Sequence, residues 1–216
     1  GAALFRMPNN KIQKALILHG TGANGKSVFL DIITHILHET NIYPFSLAHC
    51  GDEKQRANLV GKVASIRDET PRTGLLEDDS FKLLVGGGRM DYRALYHDPL
   101  SCVFDAKFFI SCNNLPFTND ISKGLLRRLL LVPFAAYFAE SKQDKNLAEK
   151  LKAEAPGIIN WAIEGAKNVL RNDFAISYAN SALNLEQVQD FKRENNPIYD
   201  WIENNCRFGE AFKLNT

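Results

Sequence analysis

The stretch Gly20-Thr21-Gly22-Ala23-Asn24-Gly25-Lys26-Ser27 decides the reading of this chain. It follows the pattern G-x-x-x-x-G-K-S. Ahead of it runs Ala15-Leu16-Ile17-Leu18, an apolar run whose length and composition fit a buried strand. Behind it, Val28 to Leu37 reads as a helix. The glycines let the backbone curl so that its N–H groups converge on phosphate oxygens. Lys26 is placed to reach the β- and γ-phosphates, and the Ser27 hydroxyl to ligate Mg²⁺. The positive end of the helix dipole falls on the same spot. Gly20 through Ser27, with Val28 following, are therefore the expected nucleotide-binding residues.

Working outward, the first two-thirds of the chain alternate short apolar runs with helical stretches, the pattern of an α/β sheet. Further strands are expected at Asn41 to Leu47, Val63 to Arg67, Ala106 to Ser111 and Leu129 to Phe134. Helices are expected at Glu53 to Gly61 and Leu76 to Val85. Gly86-Gly87-Gly88 breaks the chain. Met90 to Tyr96 and Ser101 to Phe104 then read as a hairpin around His97-Asp98-Pro99-Leu100. From Lys145 the pattern is helical, with Pro156-Gly157 separating two helices and two more at Asn184 to Lys192 and Pro197 to Asn205. The division expected is a core over 1–139 and a helical subdomain over 140–216.

At 216 residues with 45% hydrophobic content, the chain can bury an ordinary core. A net charge of +1 excludes a uniformly basic nucleic-acid-binding surface, so any DNA contact must come from locally placed charge. Cys50, Cys102, Cys112 and Cys206 form no C-x-x-C pair and no zinc spacing, and read as reduced thiols. No apolar run is long enough to span a membrane, and no signal peptide is visible. A cytoplasmic protein, with no membrane partner, is the expectation. The start at Gly1 and the early first strand point to a piece of a longer polypeptide.

A phosphate loop alone implies nucleotide binding. Hydrolysis further requires a metal carboxylate, a base for water, and a cation to stabilise charge on the transferred phosphoryl group. Asp68-Glu69, at the end of an apolar strand, supplies the first two: Asp68 toward Mg²⁺ together with Ser27, Glu69 toward the attacking water. Asn113 ends the next strong strand, where an amide can position water or touch the γ-phosphate, although Asn-Asn-Leu-Pro is also good turn chemistry. Arg127-Arg128 precede the strand from Leu129 and can reach a phosphoryl group across a subunit boundary, or simply be solvated strand-end arginines. Loop, acidic pair, amide and arginines each fall at a strand terminus, as sites in open α/β sheets often do.

With these residues in hand, the chain resembles a superfamily 3 helicase of the AAA+ type, most of all the helicase domain of phage and plasmid primase–helicases. Gly20 to Ser27 matches that family's first motif, with Asn24 tightening the match, and Leu59 to Val63 leading into Asp68-Glu69 resembles the second. Lys82 to Gly87 with the hairpin, Phe108 to Pro116 as a sensor strand, Arg127-Arg128-Leu129 as an arginine-finger segment, and Asp144 to Gly165 continue the likeness.

The resemblance implies an AAA+ P-loop NTPase core with a parallel central sheet, an inserted β-hairpin and a C-terminal helical subdomain. It implies ATP and Mg²⁺ as cofactors, and a ring, usually hexameric, moving 3′ to 5′ on single-stranded or forked DNA. It implies Arg128 as the finger, with Arg127 the alternative, and a primase or DNA-recognition domain in the parent chain within a bacterial host cell. Tyr96 and His97 of the hairpin, with Lys82, Arg89 or Arg93 nearby, become the candidate DNA contacts. Two features depart from the family: Gly88 stands where relatives often carry an acid, and the hairpin tip has Asp98 and no lysine. The alternative function is a nucleotide-regulated replication initiator or DNA-binding module without sustained unwinding.

Overall fold

The computed structural model describes residues 1–68 and 78–196, with positions 198, 201 and 205. In chain order its elements are α1 (Asn9–Ile12), β1 (Ala15–His19), α2 (Lys26–Leu37), α3 (Glu53–Ala57), β2 (Ala64–Arg67) and α4 (Asp78–Gly86). There follow β3 (Arg89–Tyr92), β4 (Leu100–Val103), β5 (Lys107–Cys112), α5 (Lys123–Leu126), β6 (Leu129–Pro133), α6 (Leu147–Ala153), α7 (Ala155–Arg171) and α8 (Ala182–Asn195). Glu69, Cys206 and most of the helix expected over 197–205 lie outside the described residues.

Four strands form one parallel sheet in the order β2-β5-β1-β6. A parallel sheet covered on both faces needs apolar residues at successive positions, which is why β1 and β6 read as continuous apolar runs. The pleat divides those runs between two layers. Ala15, Ile17, Phe108, Ile110, Leu129 and Leu131 point into a core shared with Phe81 and Leu84 of α4, Leu125 of α5 and Phe191 of α8. Leu16, Leu18, Phe109 and Val132 point the other way, onto Leu30 and Leu37 of α2. Helices α6 and α7 pack on α2. Pro156 sits in the first turn of α7, where its missing N–H costs nothing.

The outer edge of β6 is closed by side chains, so its backbone groups are not left open. Buried Asn184 of α8 accepts from the Leu131 N–H at 2.9 Å and donates to the Ala179 carbonyl at 3.0 Å. The Tyr178 hydroxyl donates to the Leu131 carbonyl at 2.8 Å. Phe191, fully buried, anchors the same helix. Truncating such a phenylalanine to alanine costs about 3–5 kcal/mol.

The expected hairpin is present as the antiparallel pair β3–β4, set between α4 and β5. Gly87, at φ +71°, ends α4, and the Gly88 N–H returns to the Leu83 carbonyl at 2.8 Å, closing the helix end. A Cβ on Gly87 would lie 2.5 Å from the Asn10 backbone nitrogen, so the position admits no side chain. Buried Arg56 fixes the base of the hairpin, donating to the Asp91 carbonyl at 2.8 Å and the Cys50 carbonyl at 2.6 Å.

One expected strand does not form. Residues 41–47 run beside β2 through a single parallel bridge, Ile42 to Ala64, and then turn through Leu47–His49. Pro44 has no N–H to continue a ladder. The next donor, the Phe45 N–H, is shared between the Tyr43 carbonyl at 2.9 Å and the Ser65 hydroxyl at 3.2 Å instead. The expected helix from Glu53 to Gly61 is regular only to Ala57.

Candidate functional site

The glycine loop leaves the C-terminal end of β1 and enters α2 at Lys26. Gly22 and Gly25 take φ of +100° and +90°, and Ala23 takes +48°, so the loop is a succession of left-handed turns. A Cβ on Gly22 or Gly25 would meet nothing within 4 Å, so what these positions demand is backbone freedom. Gly25 caps α2 with no side-chain acceptor, and no acid stands in the first turn, so this end of a 12-residue helix presents N–H groups and positive dipole together. Gly20 is tighter, since a Cβ there would come 2.4 Å from the Phe134 carbonyl oxygen.

Lys26 is buried, and its ammonium donates to the Gly20 carbonyl at 2.7 Å and to Asn24 Oδ1 at 3.0 Å. The Asn24 amide donates in turn to the Phe134 carbonyl at 2.9 Å. Asn24 therefore aims the lysine and ties the loop to the exit of β6. Beneath the loop, burial pushes His19 below its ordinary pKa, against the opposing pull of Gln187, Glu194 and Asp190. A neutral imidazole there adds no second cation behind Lys26.

A cavity of about 380 Å³ opens over the loop. Gly22 through Val28 line it, together with Asp68 from the end of β2 and Asn113 from just past β5. Gly20 and Thr21 do not line it; Gly20 acts through its carbonyl on Lys26. The Ser111 hydroxyl donates a short hydrogen bond to Asp68 Oδ1, which fixes the carboxylate at the cavity mouth. Ser27, Asp68 and Asn113 are exposed there. This donor set suits Mg²⁺, which takes one or two protein oxygens and fills its remaining positions with phosphate and water. Among the described residues no cluster of three or more His, Cys, Asp or Glu could hold a metal alone. Glu69, the expected base, lies outside the described residues.

Sequence reasoning missed the far wall. Phe138, Lys142, Gln143, Asp144 and Leu147 complete the cavity, although they follow the last strand by several residues. The Phe138 N–H donates to the Ala23 carbonyl at 2.9 Å, which draws this segment back over the loop. The Lys150 ammonium, 2.6 Å away, holds the Asp144 carboxyl below its usual range. No local pattern announces this return, because it depends on where α6 packs.

The arginines are not at the same edge. Ala15 pairs with Leu129, so Arg127 and Arg128 stand at the N-terminal ends of the strands, opposite the loop. Spanning β1 separates them from Gly20 by about 17 Å at 3.3 Å per residue. Loop, Asp68 and Asn113 converge, whereas the arginines, expected to act across a subunit boundary, cannot reach that cavity within one subunit. Arg128 packs against Gly86 and donates to the Gly124 carbonyl, with its Nε buried and unpartnered. Arg127 is exposed.

The five expected DNA contacts are also dispersed. Arg93, Tyr96 and His97 occupy the exposed hairpin loop, where Arg93 Nε donates to the His97 carbonyl at 3.1 Å. Tyr96 is 96% exposed and takes φ +62°, an uncommon conformation for an aromatic residue. Arg89 lies on β3 and donates to the Ser101 carbonyl at 2.9 Å. Lys82 sits on α4 between Asp79 at 2.7 Å and Asp120 at 3.0 Å, and the hydrogen bond to Asp79, then that to Asp120, raises its pKa. Its charge is already compensated within the chain. Cys112 donates to the Leu18 carbonyl at 3.8 Å, and burial pushes its thiol up to about 12. No helix among the described residues is long and apolar enough to cross a membrane.

Comparison with known proteins adds three findings. The model of DUF5906, described as a family of unknown function, matches residues 18–128, just over half of the chain. A protein of Acanthamoeba polyphaga mimivirus named "Putative helicase L207/L206" is 27% identical over 154 residues, covering 67% of this chain and 16% of its own length. A solved structure described as "The A form apo structure of NrS-1 C terminal region-CTR" superposes with a TM-score of 0.62 at 15% identity. That match covers 91% of this chain and 48% of the other, so the fold is shared and this chain spans about half of that structure.

Proposed function

The chain belongs to the DUF5906 family, and from that premise we propose a function that the family's description does not supply: it is an ATP-hydrolysing motor of the superfamily 3, AAA+ helicase type, acting on single-stranded or forked DNA. The observation that carries this reading is the convergence of Lys26, Ser27, Asp68 and Asn113 on one cavity at the mouth of a glycine loop. The name of the mimivirus relative and the fold shared with the NrS-1 region support it.

In this reading Gly22 to Val28 hold the phosphates through backbone N–H groups, and Lys26 turns its ammonium from the Gly20 carbonyl toward them. Bound Mg²⁺ would draw charge from the phosphate oxygens, and Ser27 and Asp68 are the side chains that would hold it. Asn113 orients water at the cavity mouth. Glu69, next in sequence to Asp68, accepts its proton. Arg128, or Arg127, serves the cavity of an adjacent copy, since its own is out of reach. The exposed loop with Arg93, Tyr96 and His97 contacts the DNA strand, and a ring of copies, hexameric in the superfamily, repeats that loop around it.

The test is ATP turnover of the chain with and without single-stranded DNA, sized in parallel with an ATP analogue. Turnover that rises with DNA and with assembly is expected. Glu69→Gln should retain ATP and lose hydrolysis. A second reading, a nucleotide-regulated initiator, is favoured by the compensation of Lys82 and by Asp98 at the hairpin tip, which both weaken DNA grip. Tight binding of ATP without turnover at any protein concentration would establish that reading instead. Displacement of a 3′-tailed strand separates an unwinding motor from an ATPase that only opens DNA.

A further inference from the structure

Next to the phosphate cavity lies a second and larger one, about 590 Å³, between α2 on one side and α6 and α7 on the other. The two share Asn24, Gly25, Val28, Phe138 and Leu147, so they adjoin. Phe138 stands at the junction, about half exposed. The second cavity is walled by aliphatic and aromatic side chains, with Phe29 and Trp161 at opposite sides. Among the described residues of its lining, the polar side-chain groups are the Asn24 amide and the Trp161 indole N–H, and both ends of the amide are engaged, by Lys26 and by the Phe134 carbonyl. The Phe138 N–H is engaged as well, by the Ala23 carbonyl.

Resting on the phosphate-loop reading, we propose that this cavity receives the base of the bound nucleotide and does not discriminate adenine from guanine. A triphosphate seated on the loop extends its nucleoside along α2 into the adjoining space. The base found there meets ring faces, methyl groups and one side-chain donor, the Trp161 indole N–H, which N3 or N7 of either purine can accept alike. Discrimination between bases of similar shape needs hydrogen bonds to their edges. A site that hydrogen-bonds its substrate rejects an analogue lacking the group by about 10⁴-fold or more, whereas apolar contact alone gives roughly 10–200-fold for a change in size. Stacking is tolerant because every base has a π face. Adenine and guanine have nearly the same face and differ at the edge. The substrate class is therefore purine nucleoside triphosphates as a group.

The chain itself carries the reporter. Its two tryptophans are Trp161, in this cavity, and Trp201, outside it. A Trp201→Phe chain leaves Trp161 as the only indole. Calorimetry with the Mg²⁺ complexes of ATP, GTP and tripolyphosphate gives affinities, and Trp161 emission reports occupancy of the cavity. ATP and GTP should bind within about tenfold of each other, both should shift Trp161 emission, and tripolyphosphate should bind at least about tenfold more weakly. Trp161→Ala, at a residue that lines this cavity and not the phosphate cavity, should weaken both nucleotides about tenfold by calorimetry while leaving tripolyphosphate unchanged. A preference of a hundredfold for either purine overturns the proposal. So does tripolyphosphate binding as tightly as ATP, or nucleotide binding that leaves Trp161 emission unmoved. Those outcomes leave the phosphate loop intact. If neither nucleotides nor tripolyphosphate bind, the phosphate-loop reading fails and this one with it.

Discussion

At the C-terminal ends of β1, β2 and β5, a glycine loop, Asp68 and Asn113 face one cavity, whereas at the N-terminal ends of the same sheet Lys14, Lys107, Arg127 and Arg128 stand together. Both edges contain buried or half-buried cations that donate to backbone carbonyls. Lys26 uses Gly20. Lys14 uses Arg127, Lys107 uses Asp105, and Arg128 uses Gly124. What separates the edges is shape and the sign of the surroundings. At the loop edge, N–H groups and the start of α2 surround an open space. At the other, cation meets cation: burial, then the charges of Arg127 and Arg128, lower the Lys14 pKa, and burial brings Lys107 down to about 8. The Asp105 charge offsets only part of this, acting on Lys107. The excess of positive charge suits an anion presented from outside the subunit, which is what the proposed role of Arg128 requires.

Replacing Lys26 breaks the comparison hardest. Lys26→Ala should weaken ATP and tripolyphosphate about a hundredfold, as expected for roughly 3 kcal/mol of charge-assisted hydrogen bonding. Unchanged affinity by calorimetry would remove the loop edge as the ligand site. Arg128→Ala addresses the other edge. It should leave ATP affinity within about twofold, since the loop is some 17 Å away, and abolish turnover in assembled protein. Turnover that persists in a preparation composed wholly of that variant rules the arginine out, and Arg127→Ala is then the comparison.

A smaller effect follows from Lys107. Below pH 8 its proton is held in the folded and unfolded chain alike. Between about pH 8 and the ordinary value of 10.5 the folded chain gives up the proton first, so the unfolded chain binds more protons and stability rises with pH. The slope is at most about 1.4 kcal/mol per pH unit. Urea unfolding of the wild type and Lys107→Met across that range should differ by this contribution. Parallel curves would mean the lysine is solvated.

The hairpin loop belongs to neither edge and should show the smallest change in stability. Tyr96→Gly relieves a left-handed aromatic residue, worth about 1–2 kcal/mol, and adds unfolded-state freedom worth about 0.5–1. A net gain of roughly 0.5 kcal/mol is expected, together with weaker binding to single-stranded DNA. A gain in stability without any loss of DNA binding would show that the tyrosine has no part in the contact.

The loop edge was legible because its chemistry is contiguous. Glycine, lysine and serine occupy fixed offsets between an apolar run and a helix, and Asp68 and Asn113 each end a strand that composition alone marks out. The hairpin was legible from its glycine break. The far wall of the cavity was not, since Phe138 to Asp144 return over the loop through one backbone hydrogen bond and the packing of α6. Nor was the compensation of Lys82, whose second partner, Asp120, is 38 residues away. The edge at which Arg128 stands depends on strand direction, which a run of Leu129-Leu130-Leu131 does not encode. The failed strand at 41–47 was decided by Pro44, visible in the sequence but outweighed by its apolar neighbours.

Strand β6 has a consequence for any assembled form. At its exit the Phe134 N–H holds the His19 carbonyl at 2.7 Å and the Phe134 carbonyl holds Asn24; at its entry the Arg128 carbonyl holds the Ala15 N–H at 2.8 Å. One unbroken five-residue rod thus joins the floor of a subunit's own pocket to the cationic tip it would offer the next. A shift at either end would be passed along it, so in an assembly of the proposed kind successive pockets would be geared together by this strand.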